Sequence, residues 1–345
     1  MDSPLPRRLL SIPAVTVALP LLILLAPIGV TVGFGLDLLT GQWRFPTIRL
    51  WLFAIVFVAH EWIGLAEAAR LWITGGFGRK VDYRRHQDMQ GWWTTSLLRW
   101  AGRLLGLRLD LDDLSAIPEG DVLILSRHAS MIDAIVPAFV FAGALQRPCH
   151  YVMKKELRWI PNIDVYGGRL GNHFIHRGGD RERQIQDIGR LAESAQLNSA
   201  LVIFPEGTYA TAEAKKRVQL SLERRQDHRS AALNTELSVL LPPRPAGTLA
   251  LLDHRPDAPV VILGHVGLEG LAELSGLRRH LPAKRTVKVR WWTIERNEVP
   301  DDVAQRTDWL EDQWRSLDRW VAKELGSGEF FGAASLLIGR RPRRT

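Results

Sequence analysis

A histidine and an aspartate, His128 and Asp133, follow a short apolar run in the middle of the chain. The run at 121–125 is Asp-Val-Leu-Ile-Leu, the pattern of a strand buried on both faces. After it, small and apolar residues recur at helical spacing, which predicts a helix over 133–145. The two polar residues therefore lie where a strand passes into a helix, the edge of an open α/β sheet at which ligands bind.

The chemistry that this pair could perform is proton transfer. Positions five apart point in different directions on an ideal helix, so a contact requires His128 to lie in the turn before the helix. A carboxylate in contact with the imidazole would hold it in one tautomer and stabilise its protonated form, as a general base requires. The alternative is structural, with Asp133 as a helix cap and His128 as an ordinary satisfied polar residue. The pair alone does not separate the two interpretations.

A second polar group stands at the end of another apolar run. Residues 200–204 (Ala-Leu-Val-Ile-Phe) are typical of a strand, and they pass into Pro205, Glu206 and Gly207. Proline ends strand pairing, and glycine permits a tight turn whose backbone N–H groups can approach a ligand. Glu206 could position an alcohol or order nearby cations, or the segment could simply terminate the strand in a loop.

Two further strands carry residues of interest. The short strand 172–175 delivers Arg177, whose guanidinium could hold a phosphate through two parallel hydrogen bonds or could simply be solvated. A fourth apolar strand, 259–263, opens with Pro259. Each of these signals is weak when it is taken singly.

The composition narrows the class of partner. The chain has 345 residues and a formal net charge of +8, which favours anionic partners such as lipid headgroups, phosphorylated small molecules or nucleic acid. A membrane surface explains this charge with the fewest assumptions, so we predict no nucleic-acid partner. The single cysteine, Cys149, excludes an internal disulfide and is assigned to the core. We predict no particular oligomeric state.

The first 75 residues predict a membrane anchor. Residues 9–36 contain no charged residue and exceed the roughly 20 that a spanning helix needs, and no signal-peptide cleavage site follows them. A second apolar run at 50–65 includes His60 and Glu61, which are costly in hydrocarbon. It could span the bilayer or lie in its interface, and we predict that it spans. The arginines and lysines before and after this hairpin favour a cytoplasmic location for both its ends and for the domain that follows.

The rest of the chain alternates strands and helices. We predict strands at 107–111, 121–125, 150–153, 172–175, 200–204, 248–252, 259–263 and 286–294. We predict helices at 133–145, 180–197, 211–235 and 301–325. The Trp- and Arg-rich segment 91–108 either lies in the headgroup region or is an amphipathic helix packed on the domain. The fold class is α/β, a mostly parallel central sheet flanked by helices and preceded by the membrane hairpin.

The ordered set of motifs resembles a known family. His-x4-Asp, Gly-x-x-Phe-Ile-x-Arg, Phe-Pro-Glu-Gly-Thr and a proline-led Val-Val-Ile strand occur in this order in glycerolipid acyltransferases, which include 1-acylglycerol-3-phosphate O-acyltransferases. The resemblance spans about 92–265. Two further segments, 211–215 and 239–247, resemble the branch of plant-type lysophosphatidate acyltransferases and lysocardiolipin acyltransferase-like enzymes. The predicted domains are a membrane anchor at 1–75, an interfacial helix and linker at 76–110, an acyltransferase domain at 111–325 and a basic tail at 326–345.

The resemblance also implies a reaction and a set of roles. An acyl group would pass from a thioester, acyl-CoA or acyl carrier protein, to the hydroxyl of a lysophospholipid. The expected acceptor is 1-acylglycerol-3-phosphate, and the product would be phosphatidate. His128 would be the general base and Asp133 its orienting partner. No bound cofactor and no metal would be needed, because a base and oxyanion donors (Ser130 and nearby amides are candidates) suffice for this chemistry. The residues implied to bind substrates are Arg177, Glu206, Gly207, Thr208 and Pro259.

Two positions depart from the family pattern. Arg127 stands where Asn usually precedes the histidine, and Tyr209 stands where Arg usually follows the Phe-Pro-Glu-Gly-Thr motif. The second departure removes one expected phosphate contact. Arg127, Lys215 or Lys216 could replace it, or the acceptor could be a different lyso-lipid. A non-catalytic lipid-binding protein of the same fold is the alternative from another class, although such a protein has no need of a base–carboxylate pair.

Overall fold

A single seven-stranded sheet forms the centre of the molecule. A computed structural model describes residues 4–130, 132–175, 178–269, 281 and 285–326. The strands are β1 (Leu107–Leu111), β2 (Val122–Ser126), β3 (Cys149–Lys154), β4 (His173–Ile175), β5 (Ala200–Ile203), β6 (Val260–Val266) and β7 (Arg285–Ile294). Their order is β1-β7-β6-β2-β5-β3-β4, and all neighbours are parallel except β6 and β7. The predicted mostly parallel α/β sheet is confirmed.

Helices cover both faces of this sheet. They are α1 (Pro4–Leu24), α2 (Ala26–Leu39), α3 (Pro46–Thr74), α4 (Tyr83–Leu105), α5 (Ile135–Ala138, continued by a π-helical turn at Phe139–Ala144), α6 (Pro161–Arg169), α7 (Arg181–Ser194), α8 (Ala212–Arg224), α9 (His228–Glu236), α10 (Pro245–His254) and α11 (Val303–Gly326). On β2, Leu123 and Leu125 pack against α7, α9, α10 and α11, whereas Val122 and Ile124 pack against α4 and α5. Burial on both faces explains why this strand is continuously apolar.

Two secondary-structure predictions within the α/β domain were wrong. Residues 248–252 lie in helix α10, not in a strand, because a short apolar run fits either element and Pro245 starts a helix at this point. The predicted single helix at 211–235 is two helices. Gln226 adopts a left-handed backbone (φ +56°), and the side chain of Asp227 then caps α9 by accepting a hydrogen bond from the amide of Ser230.

The N-terminal helices form an antiparallel hairpin. The predicted single helix at 9–36 is divided at Leu25 into α1 and α2, because Pro27 lacks an amide hydrogen for the helical ladder. After the turn, Asp37 accepts hydrogen bonds from the amide and hydroxyl of Thr47 at the start of α3. Two helices of the described residues, α1 and α3, are long and apolar enough to cross a membrane.

His60 and Glu61 on α3, which are costly to place in hydrocarbon, form hydrogen bonds within the protein. Glu61 accepts hydrogen bonds from Trp93 Nε1 (3.1 Å) on α4 and from the amide of Asn162 (2.9 Å) on α6. The ring of His60 contacts Ser96 Oγ at 2.8 Å. Helix α4 in turn buries one face on the α/β domain, as the packed-helix interpretation of 91–108 expected. The predicted tail at 326–345 lies beyond the described residues except for Gly326.

Candidate active site

The turn after β2 brings the predicted histidine and aspartate together. His128 Nδ1 donates to Asp133 Oδ1 at 3.0 Å. The amides of Ala129 and Ser130 donate to Asp133 Oδ2 at 2.5 and 2.7 Å. The aspartate therefore both shapes the turn, as the structural interpretation held, and orients the imidazole. Because a carboxylate only accepts hydrogen bonds, Nδ1 carries the proton and Nε2 is left to accept one.

The charge of Asp133 is fixed by its neighbours. The carboxylate is fully buried, and burial works to raise its pKa. Hydrogen bonds from His128 and His265 outweigh burial and hold the pKa of Asp133 below its usual range. The amides of Ala129 and Ser130 are already bound to this carboxylate, so they are not the oxyanion donors that the sequence indicated.

Two aromatic rings confine the imidazole. The ring centroids of Phe204 and Tyr209 lie 4.5 and 4.4 Å from that of His128. Lys154 Nζ sits 4.8 Å from the centroid of the Tyr209 ring, a cation–π contact. Tyr209 thus touches the histidine directly and links it to a cation at the end of β3.

Glu206 joins the histidine turn to the loop before α10. Its Oε1 accepts from the His128 amide at 2.8 Å, and its Oε2 accepts from the Leu241 amide at 3.1 Å. The side chain is buried, and burial raises the pKa of Glu206 to about 8. Both oxygens are occupied inside the protein. This differs from the predicted role in binding the acceptor, which needs an oxygen on the surface of the site.

The turn after Glu206 has the predicted shape. Gly207 adopts φ +68°, the left-handed conformation that favours glycine, and its amide donates to the Phe204 carbonyl at 3.0 Å. The side chain of Arg244 lies over this turn, since a Cβ added to Gly207 would meet its guanidine carbon at 3.4 Å. Thr208 is half-buried beside it. The sequence analysis did not name Arg244 as a site residue, although it lies in the 239–247 segment.

Comparisons with known proteins find similarity in the part of the chain that holds these residues. Residues 108–262 match the model of the acyltransferase family, and this range contains His128, Asp133 and Glu206. A 1-acyl-sn-glycerol-3-phosphate acyltransferase epsilon from Mus musculus is 27% identical over 214 residues, which cover 58% of this chain and 56% of that protein. The chain therefore contains a region, residues 108–262, that matches the acyltransferase family.

The chain spans about half the length of the curated relative that it matches. Among solved structures, it is similar to the crystal structure of the 1-acyl-sn-glycerophosphate (LPA) acyltransferase PlsC from Thermotoga maritima. The TM-score is 0.45 at 13% sequence identity, and the match covers 78% of this chain and 97% of that one.

Arg127 points away from the site. Its guanidinium is buried, and Nη1 donates to Glu269 Oε1 at 2.5 Å and to the carbonyl of His265. A phosphate ligand must present its cation to the substrate, so this geometry argues against the predicted role of Arg127. The ammonium of Lys215 also has a partner within the protein, since it donates to the carbonyl of Leu237.

Pro259, a further predicted site residue, does not join the site. The carbonyl of Pro259 accepts from the Leu123 amide, so Pro259 lies beside the start of β2. At about 3.3 Å per residue, the chain from Leu123 to His128 covers roughly 15 Å. Pro259 therefore lies at the amino ends of β2 and β6, whereas the histidine follows the carboxyl end of β2. Arg177 lies outside the described residues, and its role stays a prediction.

The sequence analysis missed His265. Its Nε2 lies 3.5 Å from Asp133 Oδ2, and both side chains are fully buried. The pairing of β6 with β2 explains why His265 lies beside Asp133. Ser126 pairs with Leu263 on β6, so a strand that continues two residues further reaches the turn after β2. The predicted strand ended at residue 263 and stopped short of this position.

Proposed function

We propose that the protein transfers an acyl group from an acyl thioester to the hydroxyl of a lysophospholipid. The favoured acceptor is 1-acylglycerol-3-phosphate, the product is phosphatidate, and the donor is acyl-CoA or acyl carrier protein. The observation that carries the proposal is the contact of His128 with Asp133 at 3.0 Å, inside a domain of this family. It leaves Nε2 as a base held in one tautomer.

The proposed mechanism uses the histidine twice. Nε2 of His128 takes the proton of the acceptor hydroxyl as its oxygen attacks the thioester carbonyl. The tetrahedral intermediate then expels the thiolate, which receives the proton from the imidazolium. Asp133 stabilises that imidazolium between the two steps. The new ester bond replaces the thioester bond, and neither a metal nor a covalent enzyme intermediate enters the sequence of steps.

We propose that the N-terminal hairpin is integral to the membrane and that the catalytic domain lies on its cytoplasmic side. Helices α1 and α2 expose most of their leucine, isoleucine and valine side chains, as a lipid-facing surface requires. Arg7 and Arg8 precede the first apolar segment and a basic cluster follows the second, which supports this orientation. The bilayer then brings the lipid acceptor to the site.

A transfer assay on detergent-purified full-length protein tests the proposal. Labelled acyl-CoA and acyl carrier protein donors are each combined with a panel of lysophospholipids. We expect phosphatidate from 1-acylglycerol-3-phosphate and a loss of about 10²–10⁴-fold in kcat for His128→Ala, the share that a positioned base supplies. Transfer that persists undiminished in His128→Ala contradicts the mechanism, and no transfer with any pair of substrates contradicts the function.

Tyr209 favours a second candidate, transfer to a lyso-lipid with a different headgroup. The tyrosine occupies the position of the family's arginine and contacts His128. The same acceptor panel separates the two candidates when it is repeated with Tyr209→Arg. If the native acceptor is 1-acylglycerol-3-phosphate, wild type already prefers it. If the arginine variant alone accepts it, the native acceptor is another lyso-lipid.

A further inference from the structure

A second histidine faces the carboxylate that orients His128. His265 lies near the end of β6, and its Nε2 is 3.5 Å from Asp133 Oδ2 and 3.2 Å from the carbonyl oxygen of Arg127. Both His265 and Asp133 have no exposed surface. Oδ2 is thereby approached by His265 and by the two turn amides, and Oδ1 remains for His128.

The hydrogen bonds of His265 identify its tautomer. A backbone carbonyl can only accept, so the bond to the Arg127 oxygen requires a proton on Nε2. Nδ1 is buried without a hydrogen-bond partner in the described part of the chain. A second proton on Nδ1 would leave a buried donor unsatisfied, which is costly. His265 is therefore a neutral ring whose one N–H is directed toward Arg127 and Asp133.

Arg127 and Glu269 hold this ring in place. While the His265 ring donates to the Arg127 carbonyl, the Arg127 guanidinium donates to the His265 carbonyl. The same guanidinium pairs with Glu269 Oε1 at 2.5 Å, and Glu269 Oε2 accepts from the Gly267 amide at 2.6 Å. The Arg127 amide also donates to Leu263 on β6. The residue before the base is thus tied to His265 by its backbone and by its side chain.

We propose that His265 is a positioning residue of the acyltransferase. Its N–H holds the Asp133 carboxylate in the rotation that presents Oδ1 to His128, and the Arg127–Glu269 ion pair keeps His265 in register with the turn. The inference rests on the proposed function of His128 as general base. It also gives Arg127 a task that differs from binding phosphate.

Loss of this N–H has a consequence of definite sign. His265 withdraws negative charge from the Asp133 carboxylate, so its removal leaves more charge on Oδ1. That charge stabilises the imidazolium of His128. The base is then protonated up to a higher pH, and the acid limb of the kcat–pH profile moves to higher pH.

Three substitutions test the role in the full-length enzyme. His265→Gln places an amide nitrogen close to the position of Nε2. His265→Asn has a shorter side chain, so its amide nitrogen does not reach that position. His265→Leu has no hydrogen-bond donor. For Leu and Asn we expect a fall in kcat of about 10- to 100-fold, an unchanged KM for the acceptor and an acid limb at higher pH, since they lose part of what a positioned base supplies. For Gln we expect most of the wild-type kcat and an unshifted profile.

A second measurement does not depend on turnover. Carbethoxylation of His128, followed by mass spectrometry over a range of pH, reports the fraction of its ring that is unprotonated. We expect its midpoint to move to higher pH in His265→Leu and His265→Asn and to stay in place in His265→Gln. Equal behaviour of all three variants, with neither midpoint nor acid limb moved, overturns the positioning role. Absence of wild-type transfer with a shifted midpoint contradicts the proposed function while leaving the electrostatic link intact.

Discussion

The buried side chain of Glu206 links two separate backbone segments. Its two oxygens accept from the amides of His128 and Leu241, one in the catalytic turn and one in the loop before α10. The carboxylate therefore fixes the backbone of the base. Substitutions at this position should act on the placement of His128 and on stability, and less on the affinity for the acceptor.

Replacing Glu206 by Gln tests this role. Above pH 8, where Glu206 with its pKa of about 8 is ionised, both of its oxygens accept, whereas the amide group of Gln must turn its NH2 toward one of the two backbone N–H groups, so one hydrogen bond is lost. We expect the free energy of unfolding to fall by about 1–3 kcal/mol and kcat to fall with little change in acceptor KM. Chemical denaturation and steady-state kinetics measure the two effects. Glu213→Gln, at an exposed glutamate on α8, is the matched control. A raised KM with unchanged stability would instead support a role in binding the acceptor.

Asp133 predicts how stability depends on pH. Its pKa in the folded protein lies below its usual value, so it stabilises the folded state above the unfolded-state pKa of about 4. That contribution is lost progressively as the pH falls through this range toward the folded-state pKa. We expect the free energy of unfolding to decline between pH 5 and pH 3, at about those limits, and to decline less steeply in Asp133→Asn. Denaturant unfolding at a series of pH values measures both slopes, and equal slopes would show that other carboxylates dominate.

At the scale of elements, the catalytic turn depends on the helices beside it. Helix α5 begins two residues after Asp133, and α4 packs against α5 and its π-helical continuation. At Gly91 on α4, an added Cβ would lie 2.4 Å from the carbonyl oxygen of Ala142. The close approach of these two backbones is therefore possible only because residue 91 has no side chain.

Gly91→Ala should push the two helices apart. We expect a loss of about 1–3 kcal/mol in the free energy of unfolding, since overpacking a backbone contact cannot be relieved by a side-chain rotation. A lower kcat should accompany it because α5 carries the end of the catalytic turn. Gly168→Ala is the control, because Gly168 is an exposed helical glycine with no atom within 4 Å of the added Cβ. Equal stability of the two variants would contradict the contact.

At the scale of the whole molecule, one aspartate connects the hairpin to the domain. Asp164 on α6 accepts from Arg7 Nη2 and Arg8 Nε, both at 2.6 Å, and from Arg158 Nε at 2.8 Å. The two arginines of α1 thereby fix the start of the hairpin against the catalytic domain. Together with the contacts of Glu61, they place both ends of the hairpin beside α6.

Asp164→Asn should release the start of α1. Three guanidinium groups would lose their shared anion, and their mutual repulsion would favour opening of the N-terminal segment. We expect trypsin to cleave after Arg7 and Arg8 about tenfold faster in detergent, which corresponds to about 1.4 kcal/mol in the opening equilibrium. Asp187→Asn, which breaks an exposed pair with Arg190, serves as the control. An unchanged cleavage rate would mean that apolar packing on α3 alone holds α1.

Much of the site is determined by local sequence. A strand buried on both faces must be apolar, and a helix must follow it with its own spacing, so the junction at 126–133 and the contact of His128 with Asp133 could be predicted. The turn at Gly207 and the apolar helices α1 and α3 were predictable for the same reason, since backbone conformation and hydrophobic length are local properties.

Only the tertiary structure decided where the remaining side chains point. Arg127 could face the substrate or the interior, and Glu269, a residue distant in sequence, draws it inward. His265 reaches Asp133 through the register of β6 against β2, and Glu206 faces inward because two amides from separate segments meet it there. These directions depend on which distant groups the sheet places opposite one another. The sequence by itself therefore determined the contact of His128 with Asp133 and the resemblance to acyltransferases, and the fold decided which of the other polar residues support that contact.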